Sequence, residues 1–262
     1  MRLLLVTFAL IVLGYGALCA LVFFKQRSLI FYPQFTTVTP RSDDLQLVSE
    51  GVTLRGRVLN PGQSRALLYF GGNAERVQDS ADALARAFPR HTIYLLAYRG
   101  YGASGGTPSQ DALFGDALAL YDHVRQQQPD AVVDVIGRSL GSGVAAYVAG
   151  QRAVPHLVLV TPFDSLVHVG QLHYPWLPAR WLMRERFDSA RNLASHRGLT
   201  LVLRAGRDTV VPAAATAALV ASLPAARREV VDFAQDDHIS LSAASSYWPT
   251  MATFIDRPTP TF

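Results

Sequence analysis

The sequence predicts one doubly wound α/β domain with a mostly parallel sheet, preceded by a single N-terminal transmembrane helix. Three observations predict it. Residues 3–24 hold 19 apolar residues out of 22, interrupted only by Thr7, Gly14 and Gly16, and carry no charge. Downstream, short continuous apolar runs alternate with stretches of helical period, as strands buried on both faces do beneath crossover helices. One of those runs leads straight through Gly137-Arg138-Ser139-Leu140-Gly141 into a helical stretch, the setting of a sharp strand-to-helix turn.

Composition narrows the classes further. With 262 residues, 50% hydrophobic and 17% charged, the chain is not disordered and is long enough for a substantial core. Its one cysteine, Cys19, excludes an internal disulfide framework and a multi-cysteine zinc site. Of the 24 basic residues 23 are arginine, and they are scattered singly, so no nucleic-acid partner is expected. The mean hydropathy of +0.17 has a local origin. The 240 residues outside 3–24 average slightly below zero, as in an ordinary soluble enzyme.

Residues 1–25 read as the anchor. At 1.5 Å per residue, the 22-residue apolar run makes a helix of roughly 33 Å, against a bilayer core of about 30 Å. A cleaved signal peptide is the rival reading. It would have a shorter apolar run ending at a small-x-small site, whereas Ala17-Leu18-Cys19 is a weak site and the run continues to Phe24. Orientation is left open, because Arg2 and the amino terminus oppose Lys25 and Arg27. Residues 26–43, with Phe31-Tyr32-Pro33 and Pro40, read as an irregular connector, and 44–262 as the folded domain.

Within that domain, 45–49 and 52–59 alternate apolar and polar around Glu50-Gly51, which predicts a half-exposed hairpin. Strands are expected at 66–70, 92–97, 131–136, 157–161, 199–203 and 229–233. Helices are expected at 77–88, 109–126, 140–150 and 213–223, with Pro108 and Pro212 where helix starts tolerate them. Residues 162–198 are too long for one crossover and hold Pro162, Pro175, Pro178, Trp176, Trp181 and five arginines. They read as a short cap over one end of the sheet. A decorated surface helix without contact to any site is the plainer alternative.

Two segments match G-x-S-x-G. Gly102-Ala103-Ser104-Gly105-Gly106 is separated from its strand by Tyr98-Arg99-Gly100-Tyr101 and from its helix by Thr107-Pro108, so Ser104 reads as part of a glycine-rich loop. Ser139 has the strand before it and the helix after it, and is the expected nucleophile. A serine needs a base and an orienting acid. Only His238 follows the final strand at the sheet edge where such chemistry is presented. His156 sits at a strand start on the opposite edge and reads as structural. His168, His173 and His196 fall in the cap interval and read as solvated, with a substrate contact as the alternative. Asp208 is the expected acid, with Asp164 as runner-up, and Asp236 and Asp237 are expected to shape the histidine loop. The resulting chain order is Ser, Asp, His. The expected oxyanion donors are the backbone N–H of Leu140 and that of Asn73, in Gly71-Gly72-Asn73-Ala74-Glu75. A plain glycine-rich turn would read the same way.

These segments resemble the α/β-hydrolase superfamily, specifically the membrane-anchored branch of Bem46-like and ABHD13/ABHD17-like serine hydrolases. The resemblance rests on the anchor, Gly72-Asn73-Ala74-Glu75, Tyr98-Arg99-Gly100-Tyr101-Gly102, Gly137 to Gly143, and Pro162-Phe163-Asp164-Ser165. It continues through Arg186-Phe187-Asp188-Ser189, Asp208-Thr209-Val210-Val211-Pro212 and His238. It implies an α/β-hydrolase fold with a short cap, and the triad Ser139, Asp208 and His238. The chain departs from the family in carrying Gly71-Gly72 where His-Gly is usual.

The expected activity is cleavage of carboxylic esters or thioesters through an acyl-enzyme, without metal or organic cofactor. The expected substrate is a small-molecule or lipid-like acyl ester, with Tyr174, Trp176, Leu177, Trp181 and Leu182 lining an acyl channel. Amide or peptide cleavage is an alternative, and so is a catalytically silent hydrolase fold acting as a scaffold at the membrane.

Overall fold

Eight strands form one sheet in the computed structural model, which describes residues 1–42 and 44–259. They are β1 (Leu45–Ser49), β2 (Val52–Leu59), β3 (Arg65–Phe70), β4 (His91–Leu96), β5 (Val132–Arg138), β6 (His156–Val160), β7 (Leu199–Ala205) and β8 (Arg228–Phe233). Their order is β1-β2-β4-β3-β5-β6-β7-β8. The hairpin β1–β2 is antiparallel and joins β4 antiparallel, while β4, β3, β5, β6, β7 and β8 run parallel. The division follows the sequence pattern. After their first residues, Arg65 and His156, β3 and β6 are apolar throughout and buried on both faces, whereas alternating β1 and β2 show one face to water.

Nine α-helices accompany the sheet among the described residues: α1 (Arg2–Ile30), α2 (Ala81–Ala87), α3 (Gln110–Gln127), α4 (Leu140–Gln151), α5 (Leu166–His173), α6 (Ala179–Leu182), α7 (Ser189–Asn192), α8 (Ala213–Ser222) and α9 (Tyr247–Ile255). α2 packs with α9 and α3 with α4, giving a helical layer on each face of the sheet, as right-handed crossovers require. The 77–88 stretch splits into a 3₁₀ turn, Val77–Ser80, and the short α2. α5, α6 and α7 occupy the interval expected to form a cap.

The N-terminal helix runs five residues beyond the expected boundary at 25 and ends at Ile30. Lys25-Gln26-Arg27-Ser28 ends the apolar run but contains no helix breaker, and Gln26 is buried because the cap satisfies its carboxamide. Its Oε1 accepts from Arg184 N at 2.7 Å, and its Nε2 donates to Leu182 O at 3.3 Å. The connector is not a free linker either. Phe31 is buried in the core beside Phe187, with ring centroids 6.2 Å apart. The last connector position, Asp43, lies outside the described residues, as do 260–262.

At the amino edge of the sheet, Asp134 of β5 is fully buried and gathers three strands around it. Arg65 Nη2 lies at 2.6 Å, His156 Nδ1 at 2.8 Å and His91 Nε2 at 3.5 Å. Burial alone would raise the carboxyl, but the hydrogen bond with His156, the proximity of His91 and the Arg65 charge hold it down, at about 2. His156 is therefore part of the frame, as its strand-start position implied.

Candidate active site

The loops leaving the carboxyl ends of β3, β5, β7 and β8 meet at one edge of the sheet. Ser139 lies between β5 and α4 with φ +50 and ψ −118, a left-handed backbone that costs about 1–3 kcal/mol for a non-glycine residue. The flanking glycines make the turn possible by close approach. A Cβ at Gly137 would lie 2.4 Å from Gly141 O, and one at Gly141 would lie 2.1 Å from Phe70 O. The turn is pinned by Ser139 N donating to Val160 O at 2.9 Å and by Ser142 Oγ donating to Ser139 O at 2.6 Å.

His238 and Asp208 complete a continuous chain of contacts. His238 Nε2 is 2.9 Å from Ser139 Oγ, and His238 Nδ1 is 2.8 Å from Asp208 Oδ2. The other carboxylate oxygen, Oδ1, accepts from Val210 N at 2.9 Å and Val211 N at 2.8 Å, so the loop itself fixes the carboxylate plane. Both side chains are largely buried. Such a chain lets the imidazole take the hydroxyl proton while the carboxylate holds the required tautomer.

The rival residues are placed elsewhere. Asp164 pairs with His168 Nδ1 at 2.9 Å. Asp237 Oδ1 accepts from Ile239 N and Ser240 N, both at 2.8 Å, which shapes the histidine loop, and those bonds hold its carboxyl below the ordinary range. His173 Nε2 lies 2.9 Å from Val210 O, tying the cap to the Asp208 loop. His196 differs from its reading as a solvated residue: it is buried, and burial lowers its pKa to about 4. Ser104 Oγ donates to Ala97 O at 2.8 Å and accepts from Arg55 N at 2.8 Å, so it closes its glycine loop.

The candidate oxyanion elements converge on Ser139. Leu140 opens α4, so its N–H has no acceptor within the helix. The loop after β3 approaches closely enough that a Cβ on Gly72 would lie 3.6 Å from Ser139 Cβ. Gly71 has its side-chain space filled: a Cβ there would lie 2.5 Å from Val77 Cγ1. Asn73 is held through its carboxamide. Oδ1 accepts from Tyr101 OH at 2.7 Å and Tyr32 N at 3.1 Å, and Nδ2 donates to Ile30 O at 2.5 Å.

A supporting pair escaped the sequence reading. Glu75 Oε1 accepts from Tyr69 OH at 2.6 Å and Ser80 Oγ at 3.1 Å, while Oε2 accepts from Gly72 N at 2.7 Å and lies 3.4 Å from Arg138 Nη1. Arg138 Nη2 also donates to His238 O at 3.2 Å. Burial disfavours the Arg138 charge, but Glu75, with smaller contributions from Tyr69 and Tyr247, outweighs it and the pKa is raised. One ion pair thus joins the loop after β3, the elbow and the histidine loop. The signal in the sequence was an acidic residue three positions after Gly72 and a basic one before Ser139.

The expected acyl-channel residues divide. Tyr174, Leu177 and Leu182 line an apolar cavity of about 100 Å³ against Val22, Leu29 and Ile30 of α1. Trp176 and Trp181 do not line it; they point outward and are 55% and 82% exposed. Composition marked the segment as aromatic but could not say which way its rings face. Among the described residues no three His, Cys, Asp or Glu side chains gather as a metal site.

Comparison with known proteins places this geometry in a family. Residues 67–196 match the model of the alpha/beta hydrolase fold. The uncharacterized protein Rv2307c of Mycobacterium tuberculosis is 34% identical over 236 residues, which cover 85% of this chain and 84% of that protein. The lysophosphatidylserine lipase ABHD12 of Danio rerio is 31% identical over 167 residues, covering 56% of this chain and 44% of the lipase. An esterase of Pyrococcus furiosus, Pf2001, superposes with a TM-score of 0.69 at 15% identity, covering 85% of this chain and 95% of its own.

Proposed function

The chain belongs to the alpha/beta hydrolase family, and on that premise we propose that it is a membrane-anchored serine hydrolase cleaving carboxylic ester or thioester bonds. The observation that carries the reading is the chain of contacts from Ser139 Oγ through His238 to Asp208, at 2.9 and 2.8 Å. In this mechanism His238 Nε2 removes the Ser139 proton as Oγ attacks the carbonyl carbon. Asp208 Oδ2 stabilises the imidazolium through Nδ1–H. The developing oxyanion is received by the Leu140 and Asn73 N–H groups, each worth roughly 2.7–4 kcal/mol in such sites. His238 then returns the proton to the leaving group, and water, deprotonated by the same nitrogen, releases the acid.

The anchor is supported by α1, a helix long and apolar enough to cross a membrane, near the N-terminus. Its last residue bonds the loop after β3, so α1 leaves the domain from the edge that carries Ser139. That placement favours an acyl ester drawn from the bilayer, and a likeness to a lysophosphatidylserine lipase agrees with it. Turnover of a series of p-nitrophenyl esters by the full-length protein and by Ser139→Ala tests the reading. Hydrolysis of medium and long acyl chains, abolished in the variant, is expected. Turnover unchanged by the substitution contradicts the proposed nucleophile, and turnover of the acetyl ester alone contradicts a lipid-like substrate.

A further inference from the structure

Residues 174–182 read Tyr-Pro-Trp-Leu-Pro-Ala-Arg-Trp-Leu, with Arg180 as the one charge in nine residues. The segment lies alongside α1. Tyr15 OH donates to Trp176 O at 2.8 Å, and eleven residues further along the helix Gln26 bonds Leu182 O and Arg184 N. The two attachment points are therefore roughly 16 Å apart along the helix axis. Arg184 also stacks on the Phe23 ring, 4.1 Å from its centroid. The stripe Cys19, Val22, Phe23, Gln26 and Ile30 is less exposed than its neighbours on the helix, at the spacing of one helical face.

The depth of that attachment is the telling quantity. Tyr15 lies nine residues inside Phe24, the last residue of the apolar run, or roughly 13 Å along the axis. Lys25 and Arg27 mark where the helix meets water. If α1 spans a bilayer, the Trp176 carbonyl is on the lipid side of that boundary. Trp181, Trp176 and Tyr174 are 82%, 55% and 53% exposed, with the Tyr174 and Trp176 rings in contact at 6.2 Å, large apolar rings that a water-facing cap would leave uncovered.

We propose that residues 174–182 of the cap insert into the leaflet that α1 enters, so that the domain holds the membrane at two points and its Ser139 edge is pressed against the lipid surface. The proposal rests on the reading of α1 as an anchor. Monotopic segments bury about 5–10 Å; attached at Tyr15, roughly 13 Å inside the apolar run, this segment reaches deeper, among the acyl chains. Arg180 reaches back to the phosphates over its own aliphatic stem.

The chain has three tryptophans, Trp176, Trp181 and Trp248, so bromolipid quenching reads the inference directly. Full-length protein is reconstituted into vesicles of phosphatidylcholine with and without brominated acyl chains. Loss of roughly half the emission is expected for the wild type and a larger fraction for Trp248→Phe, as befits two rings at lipid level, and little loss for the Trp176→Phe/Trp181→Phe double variant. Equal quenching of wild type and double variant, with the chain still resistant to alkaline carbonate extraction, overturns the proposal while leaving the anchor intact. A second copy covering the patch gives that same result by shielding both rings. Extraction of the wild type by carbonate overturns the anchor reading itself, and with it this proposal.

Discussion

The side-chain amide of Asn73 donates to the carbonyl of Ile30, the last residue of α1, at 2.5 Å. The same carboxamide accepts from Tyr32 N and Tyr101 OH, so the end of the apolar helix and the loop facing Ser139 are one rigid joint. Backbone N–H groups that receive an oxyanion act only when preorganised. Asn73→Ala is expected to lower kcat by about 10- to 100-fold with a smaller effect on KM. Asn73→Asp keeps the two acceptor contacts and is expected to fall between the two. Steady-state kinetics on a short ester give the comparison, and an unchanged kcat in Asn73→Ala would remove the joint from the mechanism.

Gly141→Ala tests the packing of the elbow. Its Cβ would lie 2.1 Å from Phe70 O and 2.5 Å from Gly71 O, backbone atoms at the end of β3 and at the start of the loop that leads into Asn73. Relief requires moving that strand, and a cost of about 1–3 kcal/mol or more is expected from overpacking. Chemical denaturation measures it. Any folded fraction is expected to be poorly active, because the displaced backbone is the one that carries Asn73, the proposed second oxyanion donor.

The Glu75–Arg138 pair predicts a non-additive double mutant. Glu75→Gln leaves the largely buried Arg138 guanidinium uncompensated, at an expected cost of about 3–5 kcal/mol. Glu75→Gln combined with Arg138→Leu removes the orphaned charge and is expected to recover part of that loss. Urea unfolding of both single variants and the double variant gives the coupling energy, and strict additivity contradicts the pairing.

Acid stability follows from His196 and Asp134. The His196 pKa is lowered from 6.5 to about 4 by burial, so the unfolded chain binds a proton that the folded one refuses. Its contribution, about 3 kcal/mol for a shift of that size, is present above pH 6.5 and is lost as pH falls towards about 4. Asp134, lowered from 3.8 to about 2, contributes in the same sense at lower pH, with its share lost between those two values. Unfolding free energies measured at neutral and mildly acidic pH are expected to show the first loss, and His196→Gln to flatten it. A wild-type profile flat across that window contradicts the burial of His196.

Much of this was legible in the sequence because particular residues carry their own context. The runs that became β3 and β6 are apolar at nearly every position, and a glycine pair brackets Ser139 between a strand and a helix. Asp208 and His238 follow the last two strands, so chain order alone brought them to one edge. What was not legible depends on packing between distant segments. Gln26 looks like the end of an anchor, and only the cap backbone at Leu182 and Arg184 shows why the helix continues. His196 belongs to an arginine-flanked stretch, yet the chain there turns beneath α4, with Ser195 Oγ bonded to Gly150 O. Asp134 and its partners come from four different strands, and no local pattern pairs them. Trp176 and Trp181 were readable as aromatic, but their direction was not.

The central claim is that Ser139 is the activated nucleophile, and an active-site adduct tests it most directly. Full-length protein treated with a fluorophosphonate probe and analysed by peptide mass spectrometry is expected to carry the phosphonate on Ser139, with no adduct in His238→Ala. A folded wild-type protein that takes no label, or one labelled on Ser104 instead, would contradict the account.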